Sequence, residues 1–276
     1  MDVLRTELEE YGMGSASFSL IREKDGVLVA RVKQGERSFI LKAFADGASL
    51  REIENYRILA SLGVPTLKLY GAAERSILIE DIEASPVLRL GREEDMNDPA
   101  VVKALASWYR ALHEKGAEYV REHGAGMYDE WDLFTLENIE LIGRSLGAEC
   151  TRAVTRLKER FPEIRARVDA APKTLCYNDF YYTNMAVHKD KSAALMFDYN
   201  LLGKGCPAND LLNAAYWFSG ENKALFADEY GGIDEGLLET AREVSTVISL
   251  VSALKRGIFP PWAEDAKRDL ISRFGC

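Results

Sequence analysis

A small antiparallel sheet with one helix, followed by a larger and mostly helical part, is the α+β, two-lobe arrangement that this 276-residue sequence predicts. Three observations carry the expectation. Apolar runs punctuated by glycine turns fill the first 80 residues. Beyond them, apolar residues recur at helical spacing. One β-flavoured island, residues 174–187 with 194–197, interrupts the helical part. A chain of this length exceeds an ordinary domain and falls short of two.

After a short amphipathic start, residues 18–21 and 27–32 read as strands divided by Lys24-Asp25-Gly26. Asp-Gly between apolar runs signals a hairpin. Residues 38–44, after the turn Gln34-Gly35-Glu36, add a third strand. Leu50, Ile53, Tyr56, Leu59 and Leu62 then share one helical face, and Gly63 and Pro65 stop that helix. Residues 67–70 and 76–79 complete a sheet with the order β-β-β-α-β-β. The lobes are expected to divide where the sheet ends, giving 1–81 and 82–276. In the larger part, Val101, Ala104, Leu105, Trp108 and Leu112 mark one amphipathic helix. Leu237, Ala241, Val244, Ile248, Val251 and Leu254 mark a long one near the end.

Composition excludes several function classes. Apolar runs fall well short of the roughly 20 residues a bilayer crossing needs. The first ten residues lack the basic-then-apolar order of a secretory leader, so a cytoplasmic location is expected. A net charge of −9 argues against a nucleic-acid partner. Cys150, Cys176, Cys206 and Cys276 are far apart and read as reduced thiols, neither a zinc site nor a redox pair. His113, His123 and His188 show no metal-ligand spacing.

The densest chemistry lies in the island. Asp179 is followed five positions later by Asn184, and after an apolar run by Asp198. A carboxylate beside a hydroxyl can orient it and accept its proton, while an amide oxygen and a second carboxylate suit a hard divalent cation. The apolar residues 185–187 and 195–197 can pair and fix the two polar loops relative to each other. A lone Lys in a strand, or one Asp-x-x-x-x-Asn, is unspecific. The joint order of Lys42, an acid on the next helix, Asp179, Asn184, Asp198 and a Gly-rich approach to Asp210 is specific.

In these residues the chain resembles, over essentially its whole length, the aminoglycoside phosphotransferase and choline kinase family, a branch of the protein-kinase-like fold. The resemblance implies a small-molecule kinase that takes a nucleoside triphosphate, ATP or GTP, and Mg²⁺. It makes Asp179 the catalytic base and Asn184 and Asp198 the metal ligands. Lys42 would contact the α- and β-phosphates with Glu52 as its ion-pair partner, or Glu54 in another helical register. Glu80 and Ile82 would meet the base, and residues 1–81 would form the nucleotide-binding lobe. Asp210 would be a structural carboxylate supporting the catalytic loop. Two departures stand out: before Asp179, Tyr177 replaces the usual His and Asn178 the common Gly, and the nucleotide loop Arg22-Glu23-Lys24-Asp25-Gly26 holds a single Gly and is not glycine-rich.

The acceptor stays open between two readings. Acids at 129, 130, 132, 137 and 140, with others at 228, 229, 234 and 235, suit an aminoglycoside or amino sugar. Tyr181, Tyr182, Trp131, Tyr216 and Trp217 suit a quaternary ammonium group such as choline. A catalytically silent nucleotide-binding module is the rival from another class. With only eleven residues between Asp198 and Asp210, no activation segment for a protein acceptor is evident.

Overall fold

The computed structural model describes residues 2–45 and 47–275. Met1 and Cys276, the latter expected as a reduced thiol, lie outside the described residues. The chain begins with α1 (Asp2–Glu10), β1 (Ser17–Lys24), β2 (Val27–Gln34), β3 (Arg37–Phe44), α2 (Gly47–Leu62), β4 (Leu69–Ala72) and β5 (Ser76–Glu80). It continues with β6 (Leu88–Leu90), α3 (Pro99–His123), α4 (Leu136–Ser145), α5 (Thr151–Ala170) and β7 (Thr174–Cys176). The remainder is β8 (Met185–His188), β9 (Ala194–Met196), β10 (Gly203–Gly205), α6 (Pro207–Ala215), α7 (Gly220–Tyr230), α8 (Glu235–Arg256) and α9 (Pro261–Phe274). The expected β-β-β-α-β-β order is present, and the rest is mostly helical.

Contacts divide the described chain into two compact units. The first comprises residues up to Gly116, Asp179–Leu202 and Trp217–Gly231; the second comprises Ala117–Asn178, Gly203–Tyr216 and residues from Gly232 onward.

In the first unit, the antiparallel sheet runs β1-β2-β3-β5-β4. The β1–β2 hairpin turns through Asp25 (φ 51°) and Gly26 (φ 75°), the paired left-handed residues that match strand twist in a two-residue turn. Strand alternation sends Phe39, Leu41 and Ala43 to one face, where Leu4 and Leu8 of α1 join Ala30, Val32 and Leu78 in a buried cluster. Lys42, between Leu41 and Ala43, points to the other face. The α2 helix ends at Gly63 (φ 63°), where Val64 N donates to Leu59 O at 3.0 Å and Gly63 N to Ala60 O at 3.1 Å. A three-stranded sheet, β6-β8-β9, also belongs to this unit, with Met185 opposite Met196.

In the second unit, α4, α5, α8 and α9 bury a cluster that includes Phe134, Ile142, Leu157, Val247, Val251, Leu270 and Phe274. Side-chain caps set the starts of α4 and α8: Thr135 accepts from Asn138 N, and Asp234 from Leu237 N. β7 pairs with β10, Thr174 opposite Gly205. Among the described residues, no helix is long and apolar enough to cross a membrane.

Candidate active site

The site begins with a buried cation. Lys42 is 7% exposed, and its Nζ donates to Glu52 Oε1 at 2.6 Å, Glu52 Oε2 at 2.7 Å and Asp198 Oδ1 at 2.9 Å. Burial alone would pull the lysine pKa down, but attraction to Glu52 and Asp198 outweighs it and the pKa stands above its ordinary value. Glu52, 1% exposed, has its carboxyl pushed up by burial, against the opposing pull of Lys42. The helical register selects Glu52. Glu54, two positions on, is exposed and lies 3.5 Å from Arg57.

Asp198 enters this cluster at the end of β9 with φ 66°. A left-handed non-glycine residue costs on the order of 1–2 kcal/mol and persists where its surroundings hold it. The β8–β9 hairpin is that hold: Phe197 N donates to Asn184 O at 2.9 Å, one step beyond the Met185–Met196 pair. Asn184 and Asp198 therefore leave adjacent ends of one hairpin. Asn184 closes a 3₁₀ turn with Tyr181 O at 2.8 Å, and its Nδ2 donates to Asp179 Oδ2 at 3.4 Å. That bond uses one N–H of the amide and leaves Oδ1 as the atom that could meet a cation. The donor set is hard oxygen, and Asp198 already holds a cationic ammonium, so these residues fit a Mg²⁺ ion.

The sequence-predicted Lys42, Glu52 and Asp198 are thus bonded together, Asn184 is bonded to Asp179, and Phe197 links the two groups through the hairpin. Glu80 ends β5 and is joined to Lys42 through the β3–β5 ladder, where Glu80 faces Phe39 and Lys42 faces Ile77; Ile82 follows two residues on. Ile82 is buried. Between them Asp81, 3% exposed, accepts from Arg31 Nε at 2.8 Å and Ser38 Oγ at 2.6 Å. Burial pulls the Asp81 pKa up, but these bonds and the Arg31 charge hold it below the ordinary carboxylate value.

The second unit fixes the residues preceding Asp179 in the chain. Asp210, 1% exposed, accepts from Tyr177 N at 2.7 Å and Asn178 N at 2.8 Å. The expected structural carboxylate is therefore in place. Asn178 has φ 65°, which explains a glycine-like position: asparagine is among the few residues that tolerate the left-handed region. Tyr177 is fully buried.

Three features escaped the sequence. Asn55 Nδ2 donates to Tyr199 O at 2.7 Å and reaches Leu202 O at 3.4 Å. Asp81 ties β2 and β3 to the segment after β5. Gly91 N donates to Met185 O at 2.7 Å, and a Cβ there would stand 2.4 Å from Tyr182 O, so only glycine fits beside this turn. A lone glycine before an acidic run was the available signal.

The acceptor candidates sort by burial. Tyr181 and Tyr182 stack at 5.0 Å, and Trp217 stands edge-on to them at 4.8 and 5.4 Å; Tyr181 is 43% exposed. Trp131 is withdrawn from the expected aromatic set: it is 1% exposed, with Lys173 over its ring at 4.9 Å. Tyr216 donates to Asp265 at 2.7 Å. Among the acids, Asp129 is buried and bonded to Lys173 and Trp131 N, and Glu130 accepts from Asn209. Asp234 serves as a helix cap.

A model described as the phosphotransferase enzyme family matches residues 24–244. No curated protein matches the chain in sequence. Among solved structures, a choline kinase from Streptococcus pneumoniae is similar in fold, with TM-score 0.66 and 13% identity, covering 98% of each chain. A macrolide 2'-phosphotransferase from Brachybacterium faecium has TM-score 0.65 and 18% identity, again covering 98% of each. A Plasmodium vivax ethanolamine kinase has TM-score 0.63 and 16% identity over 99% of this chain and 88% of that one.

Proposed function

Since the chain belongs to the phosphotransferase enzyme family, we propose that it is a cytoplasmic small-molecule kinase transferring the γ-phosphoryl group of ATP or GTP to a hydroxyl of a small cationic acceptor. The observation that carries this reading is Lys42 bonded at once to Glu52 and Asp198, which ties a phosphate-binding cation to a metal-binding carboxylate.

In this proposal residues 1–81 bind the nucleotide, with its base against Glu80 and Ile82, and residues 82–276 carry the catalytic and metal loops. Lys42, held by Glu52, grips the α- and β-phosphates. Asn184 and Asp198 hold Mg²⁺, which when bound offsets negative charge on the phosphates. Asp179 accepts the proton of the acceptor hydroxyl at a carboxylate oxygen, with Asn184 Nδ2 orienting that carboxylate. Positioning and electrostatics supply most of the rate.

For the acceptor, an aminoglycoside or amino sugar is the first reading, resting on the acids Asp132, Glu137 and Glu140 and on the family. The cluster of exposed Tyr181 with half-buried Tyr182 and Trp217 favours a second, an amino alcohol of the choline or ethanolamine type, because a cation is attracted to aromatic faces. The test is ATP and GTP consumption screened over aminoglycosides, amino sugars, choline and ethanolamine. Turnover lost in Asp179→Ala supports the reading; Mg²⁺-indifferent melting with nucleotide would turn it toward a silent module.

A further inference from the structure

Asn55 lies three residues after Glu52 on α2, and residues at that spacing share a helix face. It is 5% exposed. Glu52 faces Lys42 as an acceptor and also takes a hydrogen bond from the Tyr199 backbone. Asn55 faces the same segment as a donor, to Tyr199 O at 2.7 Å and to Leu202 O at 3.4 Å. The Tyr199 backbone, immediately after Asp198, is therefore held at its N–H by Glu52 and at its C=O by Asn55, two residues within one turn of α2. Tyr56, the next residue on α2, adds an edge-on contact to the Tyr199 ring at 4.8 Å.

This grip has something to oppose. Asp198 is left-handed at φ 66°, and relaxation of the residues after it would swing its carboxylate. The side chain must be a donor because the segment presents carbonyl oxygens. An aspartate of the same size would set acceptor against acceptor, and a leucine would strip a partner from a buried carbonyl.

We propose that Asn55 is a positioning residue for the metal: by holding the Tyr199 carbonyl it aims the Asp198 carboxylate at the site where Mg²⁺ would sit. The inference rests on the kinase reading above and names a group, outside the ligands, on which metal affinity depends. Residues supporting metal ligands in this way commonly control affinity about 10–100-fold.

The experiment measures ADP binding by calorimetry with and without Mg²⁺, in the wild-type protein and in Asn55→Leu and the isosteric Asn55→Asp, each checked for a cooperative melt. The expected result is a Mg²⁺ enhancement of ADP binding reduced about tenfold in both variants, with metal-free ADP affinity within about twofold of wild type. Folded variants that keep the wild-type enhancement overturn the inference. So does an equal loss of metal-free and metal-dependent binding, which marks a loosened helix. A measurement on the wild type does not depend on variants: the Asn55 side-chain amide resonance should move when Mg²⁺ is added to the ADP complex, and its constancy would overturn the inference. A wild-type protein that binds no nucleotide overturns the kinase reading, and this inference with it; Mg²⁺-enhanced wild-type binding matched by both variants overturns the inference alone.

Discussion

Lys42 and Asp198, 156 positions apart in the sequence, share a 2.9 Å hydrogen bond. One ammonium thus serves two carboxylates, those of Asp198 and Glu52. Any divalent cation that takes up Asp198 competes with the lysine for it.

The two ends of the Lys42–Glu52 pair are not equivalent. Lys42→Met leaves two carboxylates facing each other, one of them almost wholly buried, and should cost about 3–5 kcal/mol. Glu52→Gln leaves Lys42 its bond to Asp198 and should cost about 1–3 kcal/mol. Urea unfolding of the two variants side by side checks the order; equal losses would contradict it.

Asp179→Ala should lower turnover by about 10²–10⁴-fold. Nucleotide affinity should stay nearly unchanged, because Asp179 is assigned to the acceptor hydroxyl. Turnover with a verified acceptor, set beside nucleotide-induced thermal stabilisation, separates the two effects.

Asp210→Asn should act on both stability and turnover. An amide offers one acceptor where the carboxylate uses two, so either Tyr177 N or Asn178 N loses its buried partner, at about 1–3 kcal/mol. The segment leading to Asp179 then loosens, and kcat should fall while KM for the nucleotide holds. A shift in KM with kcat intact would speak against this role.

Asp81 gives a pH dependence of defined sign. Its folded pKa is lowered, so its contribution to stability is present above the unfolded value, about pH 4, and is lost as pH falls through the folded value. Asp81→Asn should therefore trail the wild type most near neutral pH, with the gap in urea midpoint closing as the buffer is acidified below about pH 4. A gap constant from neutral to strongly acid conditions would mean that the carboxylate charge is not what Arg31 and Ser38 recognise.

Much of the first unit is legible in the sequence because its signals are local. Asp25-Gly26 fixes a hairpin, Gly63 ends a helix, and alternation around Lys42 sets its face. The choice between Glu52 and Glu54 was not legible. Two residues of helix turn a side chain about 200°, so the answer depends on which face of α2 meets β3, a tertiary fact. The strands β6 and β10 were missed for a related reason. Gly203-Lys204-Gly205 has no apolar alternation to read, and becomes a strand only because β7 is there to pair with it. Asp129 read as one of the acids suiting a cationic acceptor; its burial beside Lys173 depends on a residue 44 positions away. Asn55 carried no signal, since an asparagine within a helix is ordinarily a solvent-facing residue.

The β8–β9 hairpin behaves as a pair of calipers whose jaws are Asn184 and Asp198. The jaw opening is set by ladder pairing between Met185 and Met196, not by the length of the handle beyond His188. Extra residues inserted at the bend, near the left-handed Lys191, leave the opening as it is, whereas one residue inserted within β9 reverses which face every later side chain of the strand presents. Length variation among natural or engineered versions of this protein is therefore tolerable at the bend and ruinous a few residues further along.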